Sequence, residues 1–280
     1  MNYLDLHLHS TFSDGTHTPQ ELIKMAEKLG LKCISITDHD TVSHISPALA
    51  ASKNSTVEVI PGVEVSADFS PGTMHILGYG VDYTNNILQN MLLAYRAGRE
   101  IRNPQIIKKL QENGCKITYE EIRSVANGET IGRPHIARVM VEKGFVSNIY
   151  EAFDLYLKKG ALAYVDRVRF SSYEIINAIH NANGLAFIAH PKQLLCNNTT
   201  ELYEIVTRLV AEGIDGIEVF HSSHKKKDIK IYQKIAENHN LLISGGSDFH
   251  GGNKTFPVFG SVGEGVCLGY DIVEKIKARF

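Results

Sequence analysis

Strand-like and helix-like stretches alternate along this chain, break off once and then resume, and that order restricts the fold more than any other feature. YLDLHLHS reads as a strand with Leu4, Leu6 and Leu8 on one side and Asp5, His7 and His9 on the other. Thr18, Pro19 and Glu21 then form a capping-box start for the amphipathic run ELIKMAEKLG, which Gly30 closes. CISIT is a second strand, Val42 to Lys53 a second helix, and EVIPGVEVS and MHILGYG are further strands. From about Asn85 to Val165 helical periodicity takes over, in LLAYRAGREIRNPQIIKKLQENG, TYEEIRSVANG and PHIARVMVEKG. Alternation returns with LAFIAHP, a helix around Glu201 to Glu212, GIEVFHS, a helix around Asp228 to Asn238, LLISGGSDFH and a last helix near Tyr270 to Ala278. A βα pattern with one interruption predicts an α/β parallel barrel over residues 1–84 and 166–280, with an inserted helical subdomain over 85–165.

Composition is compatible with this and excludes some partners. With 280 residues, 43% of them hydrophobic, the chain can bury a large core. A formal net charge of −2 removes the broad basic surface that gripping long duplex nucleic acid requires. Cys33, Cys115, Cys196 and Cys267 are widely spaced with no CxxC, and neither a signal peptide nor a long apolar span is evident. The expectation is a soluble protein of a reducing cytoplasm with no membrane partner.

The chemistry-bearing residues cluster at the far ends of the predicted strands. His7 and His9 end the first, Asp38 and His39 the second and Glu64 the third; His75 lies on the fourth, His190 and His221 end two later ones, and Asp248 and His250 follow the last. In a βα barrel those ends converge on one face. Carboxylates and imidazoles packed so closely repel or stay unsatisfied unless a positive ion joins them. Oxygen and nitrogen donors without thiolate suit zinc, manganese or iron, and so many ligands imply a cluster that holds cations about 3.5–4 Å apart. A single strand-end histidine is often structural, but two imidazoles on one side of one strand have few structural uses. His17, His44, His180, His224 and His239 read as ordinary surface groups, and Lys225 to Lys227 as a solvated helix start.

With these residues in place, the sequence resembles the polymerase and histidinol phosphatase (PHP) family of metal-dependent phosphoesterases. HLHSTFSDG, ITDHDT, PGVEVSA, HILGYG, IAHP, IEVFHSSH and GSDFH carry the likeness over nearly the whole chain. GRPHIAR and IEVFHSSH point to the stand-alone members that act on small nucleotides and short RNA ends. The resemblance implies a distorted (βα)7 TIM-like barrel and two to three divalent cations (Mn, Fe or Zn). His7, His9, Glu64 and Asp248 would hold one, Glu64 with His75 and His190 a second, and Asp14, His39 and His250 a third. Asp14 departs from relatives with a histidine in this neighbourhood, and an oxygen ligand leans toward manganese or iron. Asp5 is either a partner orienting a ligand imidazole or a polar residue near a strand start.

The implied activity is hydrolysis of a small nucleotide's phosphate monoester, the 3′-phosphate of nucleoside 3′,5′-bisphosphates, by metal-hydroxide attack, with trimming of short RNA from its 5′ end as a related reaction. If the insert folds over the mouth, Arg133 and His135 in GRPHIAR would hold the substrate's phosphate. His221 would be a substrate contact or general acid. Two alternatives stand beside this reading: a histidinol-phosphate phosphatase with the same metals, and a non-catalytic structural PHP module.

Overall fold

The alternating leucines of the first strand set the architecture. In a computed structural model describing residues 3–126, 131–253, 257–262 and 266–280, β1 (Leu4–Leu8) is buried at every position. Its apolar face packs in two directions. Leu4 and Leu6 join Tyr79, Phe187, Val273 and Ile276, while Leu8 packs with Leu22, Ile23 and Ala26. Each such burial stabilises by roughly 1.5–3 kcal/mol.

α1 (Pro19–Leu29) follows, with the reciprocal capping box between Thr18 and Glu21 and Gly30 closing it at φ 72°. β2 (Cys33–Ile36), α2 (Ile45–Ser52), β3 (Glu58–Val59), β4 (Gly62–Ser66) and β5 (His75–Tyr79) come next. Four helices succeed them: α3 (Asn86–Glu112), α4 (Tyr119–Val125), α5 (Arg133–Glu142) and α6 (Ile149–Ala152). α6 runs straight into a wider π-helical turn, Phe153–Leu157. The tail of the expected TYEEIRSVANG helix, Asn127 and Gly128, lies outside the described residues. α7 (Ser172–Asn181), β6 (Leu185–Ile188), α8 (Thr199–Ala211), β7 (Gly216–His221), α9 (Lys226–His239), β8 (Leu242–Gly246) and α10 (Asp271–Lys277) complete the chain.

The strands form two sheets, β1-β2-β3 and β4-β5-β6-β7-β8. β1, β2 and β3 are parallel, as are β6, β7 and β8, but β5 runs antiparallel to both β4 and β6. This departs from a uniformly parallel barrel. The segment between Ser66 and His75 is too short for a crossover helix, so β4 and β5 pair as a hairpin. Isolated bridges Leu8–Phe249 and His39–Glu64 join the two sheets, and both lie among the strand-end polar residues.

The helical stretch has a core of its own, in which Ile106, Leu110, Ile122, Ile136, Met140 and Leu157 are buried together. α3 belongs to both cores. Its Leu88, Leu92 and Tyr95 pack with sheet-side residues such as Val65, Ile76 and Ile175, whereas Ile106 and Leu110 serve the helical core. Pro104 lies between the two halves, where it removes one intrahelical N–H donor.

Candidate metal centre

Glu64, fully buried on β4, is the hub where the strand ends meet. Its Oε1 lies 2.8 Å from His75 Nδ1 and 2.8 Å from His190 Nε2. Its Oε2 lies 2.9 Å from His39 Nδ1, 3.3 Å from His9 Nε2 and 3.4 Å from His7 Nε2. One carboxylate therefore faces five imidazoles drawn from four strands, β1, β2, β5 and β6, or the loops just after them.

A second group forms around Asp14. Its Oδ1 is 3.3 Å from His250 Nε2 and 3.8 Å from His9 Nδ1, and its Oδ2 is 4.0 Å from His39 Nε2. Asp248 connects the two groups, with Oδ1 3.2 Å from His9 Nε2 and 3.6 Å from His7 Nε2. All nine residues expected as ligands thus converge. In His9–Asp14–His39–His250, His7–His9–Asp248, His7–Glu64–His190 and His39–Glu64–His75, the donor atoms lie within 4.8 Å of one another. His190 and Asp248 hold φ of 26° and 59°, a left-handed region costly for non-glycine residues that the tight strand-end turns impose.

Glu218, on β7, is a residue of the cluster that sequence reasoning missed, as it missed Arg99, Arg102 and Arg167 in the cavity above it. Its Oε1 takes a hydrogen bond from His7 Nδ1 at 2.9 Å and its Oε2 accepts the His190 backbone N–H at 2.7 Å. It fixes the His7 tautomer so that Nε2 points at Glu64 and Asp248. Of the two readings of Asp5, the structure does not bear out a partner of a ligand imidazole. The Asp5 carboxylate accepts the backbone N–H groups of Ser247 and Gly260 and the Ser247 hydroxyl, which pins the end of β8 rather than an imidazole. Gly246 allows this close approach, because a Cβ there would sit 2.3 Å from the Cβ of His7.

Two of the histidines expected at the surface are buried. His44 places Nε2 2.9 Å from the Ile36 carbonyl and Nδ1 3.1 Å from Asp38, and His224 donates through Nδ1 to the Val219 carbonyl and packs on Tyr232. Polar neighbours in sequence hid them, because each side chain folds back over a strand end. His17, His180 and His239 are partly exposed.

The donor set fits divalent cations. His7 Nε2, both nitrogens of His9, His39 Nδ1, His190 Nδ1 and Glu64 Oε2 are buried without a hydrogen-bond partner. Six such atoms in one small volume are costly unless a cation satisfies them. The protonation pattern reflects the same crowding. Burial would raise Glu64, but the imidazoles of His39, His75 and His7 hold it well below the usual carboxylate range. Burial would likewise lower His7, yet Glu218 and Glu64 hold it well above its ordinary value. Burial and the neighbouring His250 and His39 push His9 down to about 3.

Two connected cavities open over this cluster. The smaller, about 140 Å³, is lined by Asp14, His39 and His75 of the cluster and by Arg99, Arg102, Arg133 and Arg167. Asp40 pairs with Arg99 and, at 3.2 Å, with Arg167. Arg102 has no ion pair among the described residues and bonds only to the Asn103 side-chain oxygen. Burial and the charges of Arg99, Arg133 and Arg167 push it down to about 8. Arg133, at the start of α5, donates to the Leu157 carbonyl of the π turn at 2.9 Å, and its guanidinium sits 5.7 Å from the centre of the Phe153 ring. The larger cavity, about 360 Å³, shares Asp14, His39, His75, Pro134 and Phe153 with the first.

His135 and His221 stand elsewhere. Neither lines these two cavities. His135 Nδ1 accepts the Gly132 N–H and so caps its own helix. His221 is buried beside the cluster, with Nδ1 next to the Ser223 hydroxyl and Nε2 3.6 Å from Asp248, and its donor atom lies within 4.8 Å of those of His7 and Glu218.

Buried carboxylates and imidazoles that fit several cations, beside guanidinium groups that fit an anion, define a phosphoesterase site. The chain belongs to the PHP family: the PHP domain matches residues 5–263. It is 36% identical over 247 residues to a 5′-3′ exoribonuclease of Haemophilus influenzae, covering 88% of this chain and 89% of that one. It is 34% identical over 251 residues to a 3′,5′-nucleoside bisphosphate phosphatase of Chromobacterium violaceum, covering 89% and 88%. Among solved structures it resembles one described as an amidohydrolase from Chromobacterium violaceum with bound sulfate and no metal, at TM-score 0.88 and 32% identity, covering 99% of this chain and 96% of the other. The protein is a hydrolase acting on phosphate esters. Among the described residues no helix is long and apolar enough to cross a membrane.

Proposed function

We propose that this enzyme removes the 3′-phosphate of nucleoside 3′,5′-bisphosphates and also accepts short RNA through its 5′-phosphate. The observation that carries the reading is the group of four arginines in one cavity with residues of the carboxylate–imidazole cluster, with Arg102 lacking an ion pair among the described residues. Such a wall attracts a substrate with a second anionic group beside the phosphate being hydrolysed. The activities named for the two relatives support the same substrate class. Histidinol phosphate fits poorly, because its ammonium group would meet the four guanidinium groups. We also take the two sheets, joined by the Leu8–Phe249 and His39–Glu64 bridges, as the walls of a distorted (βα)7-type barrel, with the helical segment 85–165 as its substrate-binding insert.

In this reading His7, His9, Asp14, His39, Glu64, His75, His190, Asp248 and His250 hold two to three divalent cations. When bound, these supply Lewis-acid charge to the phosphoryl oxygens and acidify water. The protein's own groups do the rest. Glu64 presents one oxygen to His75 and His190 and the other to His7, His9 and His39, Asp248 connects that group to the one around Asp14, and Glu218 aims His7. Arg99, Arg102, Arg133 and Arg167 hold the second phosphate, so that the scissile one lies over the cluster. The test is a substrate panel on metal-replete enzyme. Adenosine 3′,5′-bisphosphate should exceed both adenosine 5′-monophosphate and histidinol phosphate in kcat/KM. A higher value for histidinol phosphate would overturn the assignment.

A further inference from the structure

The larger cavity has a wall that the phosphates do not explain. Pro134, Ile149, Tyr150 and Phe153 form it, in the cavity that His75, His190 and His250 also line. Ile149 and Phe153 pack on the helical core, so their positions are anchored. Tyr150 is different. It is 79% exposed, more than any other large apolar or aromatic side chain among the described residues that are exposed, and it gains little from packing. Phe153 lies at the start of the π-helical turn, a local widening that recurs at functional sites. That turn's Leu157 carbonyl accepts the bond from Arg133, so one short element shapes both the anion side and the apolar side.

The two cavities share Asp14, His39, His75, Pro134 and Phe153, and this continuity limits what occupies the larger one. The larger cavity is also lined by Asp14, His39, His75, His190, Asp248 and His250, so a phosphate over the cluster takes part of it, and with a second phosphate among the arginines only the rest of the ligand remains to be placed against the apolar wall. At about 360 Å³, shared with that phosphate, the space falls at the small end of ligand pockets, suited to a single ring system rather than a chain of bases. We propose that this wall is a nucleobase subsite, with Tyr150 as an aromatic platform on which the base stacks beside Phe153. Gln193 at the rim offers an amide donor and acceptor to the base edge. The subsite rests on the nucleotide reading above and adds to it where the base goes.

The experiment compares adenosine 3′,5′-bisphosphate with its abasic tetrahydrofuran analogue, in wild type and in Tyr150→Ala and Tyr150→Phe, all metal-replete. The readouts are the ratio of the two kcat/KM values and the ratio of inhibition constants of the two monophosphate products. Loss of a base–aromatic stack lowers affinity by about five- to a hundredfold. Tyr150→Ala should therefore lower both ratios about tenfold or more, and Tyr150→Phe, which keeps the ring, should retain them. If wild type prefers the nucleotide and Tyr150→Ala keeps that preference in full, the platform is overturned while the phosphatase reading stands. If wild type does not hydrolyse the nucleotide at all, both fall together.

Discussion

At the scale of single residues, Glu218 separates holding a cation from shaping its site. It orients His7 and the His190 backbone at once. Glu218→Gln leaves one carbonyl oxygen for two donors, because the NH2 that replaces the other oxygen cannot accept from His7 Nδ1 or from the His190 N–H. Metal affinity should fall about ten- to a hundredfold with the fold intact, as read by metal titration and circular dichroism. Unchanged affinity would show that His7 needs no such partner. The residue was hidden from the sequence for a definite reason. Strict alternation along GIEVFHS puts Glu218 on the face of Phe220 and opposite His221, but a register shift between Glu218 and Phe220 brings Glu218 and His221 together. Eight of the nine residues expected as ligands were legible because they lie on or just after strands, and Asp14, in the loop after β1, only through the family resemblance, whereas bulges leave no trace in periodicity. Arg102 shows the cost of a site built for an anion. Replacing it with Met removes a buried, repelled charge, so Arg102→Met should raise the melting temperature while raising KM for a nucleoside bisphosphate and leaving metal content unchanged. A variant with neither change would make Arg102 a bystander.

At the scale of elements, caps were more readable than partners. Thr18–Glu21, Thr118–Glu121 and Ser171–Glu174 close reciprocal boxes, and such boxes announce a helix start from local chemistry alone; only the first was read as a cap in the sequence, and α7, which the third begins, was not anticipated. Which strand lies beside which depends on loop length and packing, so the antiparallel β4–β5–β6 run was missed. α3 makes the related point for boundaries. One continuous helix serves two cores, and a cut at residue 85 would strip Leu88, Leu92 and Tyr95 from the sheet side. A smaller fastener ties α7 to the strands: His180 Nε2 lies 2.8 Å from Asp215, whose carboxylate also accepts the Ala186 N–H. This hydrogen bond raises His180 above its ordinary value. A raised folded value means that the stabilisation is complete below the ordinary histidine pKa of about 6.5 and is lost as pH rises through the folded one. The difference in melting temperature between wild type and His180→Ala should accordingly be largest near pH 6 and shrink toward alkaline pH. A difference that grows with pH would exclude the ion pair as its source.

At the scale of the whole molecule, the metal centre lies where the two sheets meet. β1 and the loop after β2 belong to one sheet; β4, β5 and the segments after β6 and β8 belong to the other or extend from it. Among the described residues the backbone joins the sheets through isolated bridges, Leu8–Phe249 and His39–Glu64, and a few further hydrogen bonds such as Asp248 N–H to the His7 carbonyl at 2.9 Å. His7, His9 and His39 from the first side face Glu64, His75, His190 and Asp248 from the second, at distances that bound cations would span. Cations placed there are cross-links as well as catalytic charges. Their binding should therefore stabilise the fold, by about 2.7 kcal/mol at a metal concentration a hundredfold above Kd, which corresponds to about 5–10 °C in melting temperature. Chelation followed by calorimetry measures this directly, and Glu64→Gln supplies the control, because a variant lacking the central charge should lose most of the metal-dependent increment. The increment should also survive in Arg102→Met, because Arg102 is not one of the ligands. If chelation leaves the wild-type transition where it was, packing alone joins the sheets, and the convergence of nine donors at that seam serves chemistry without bearing on stability.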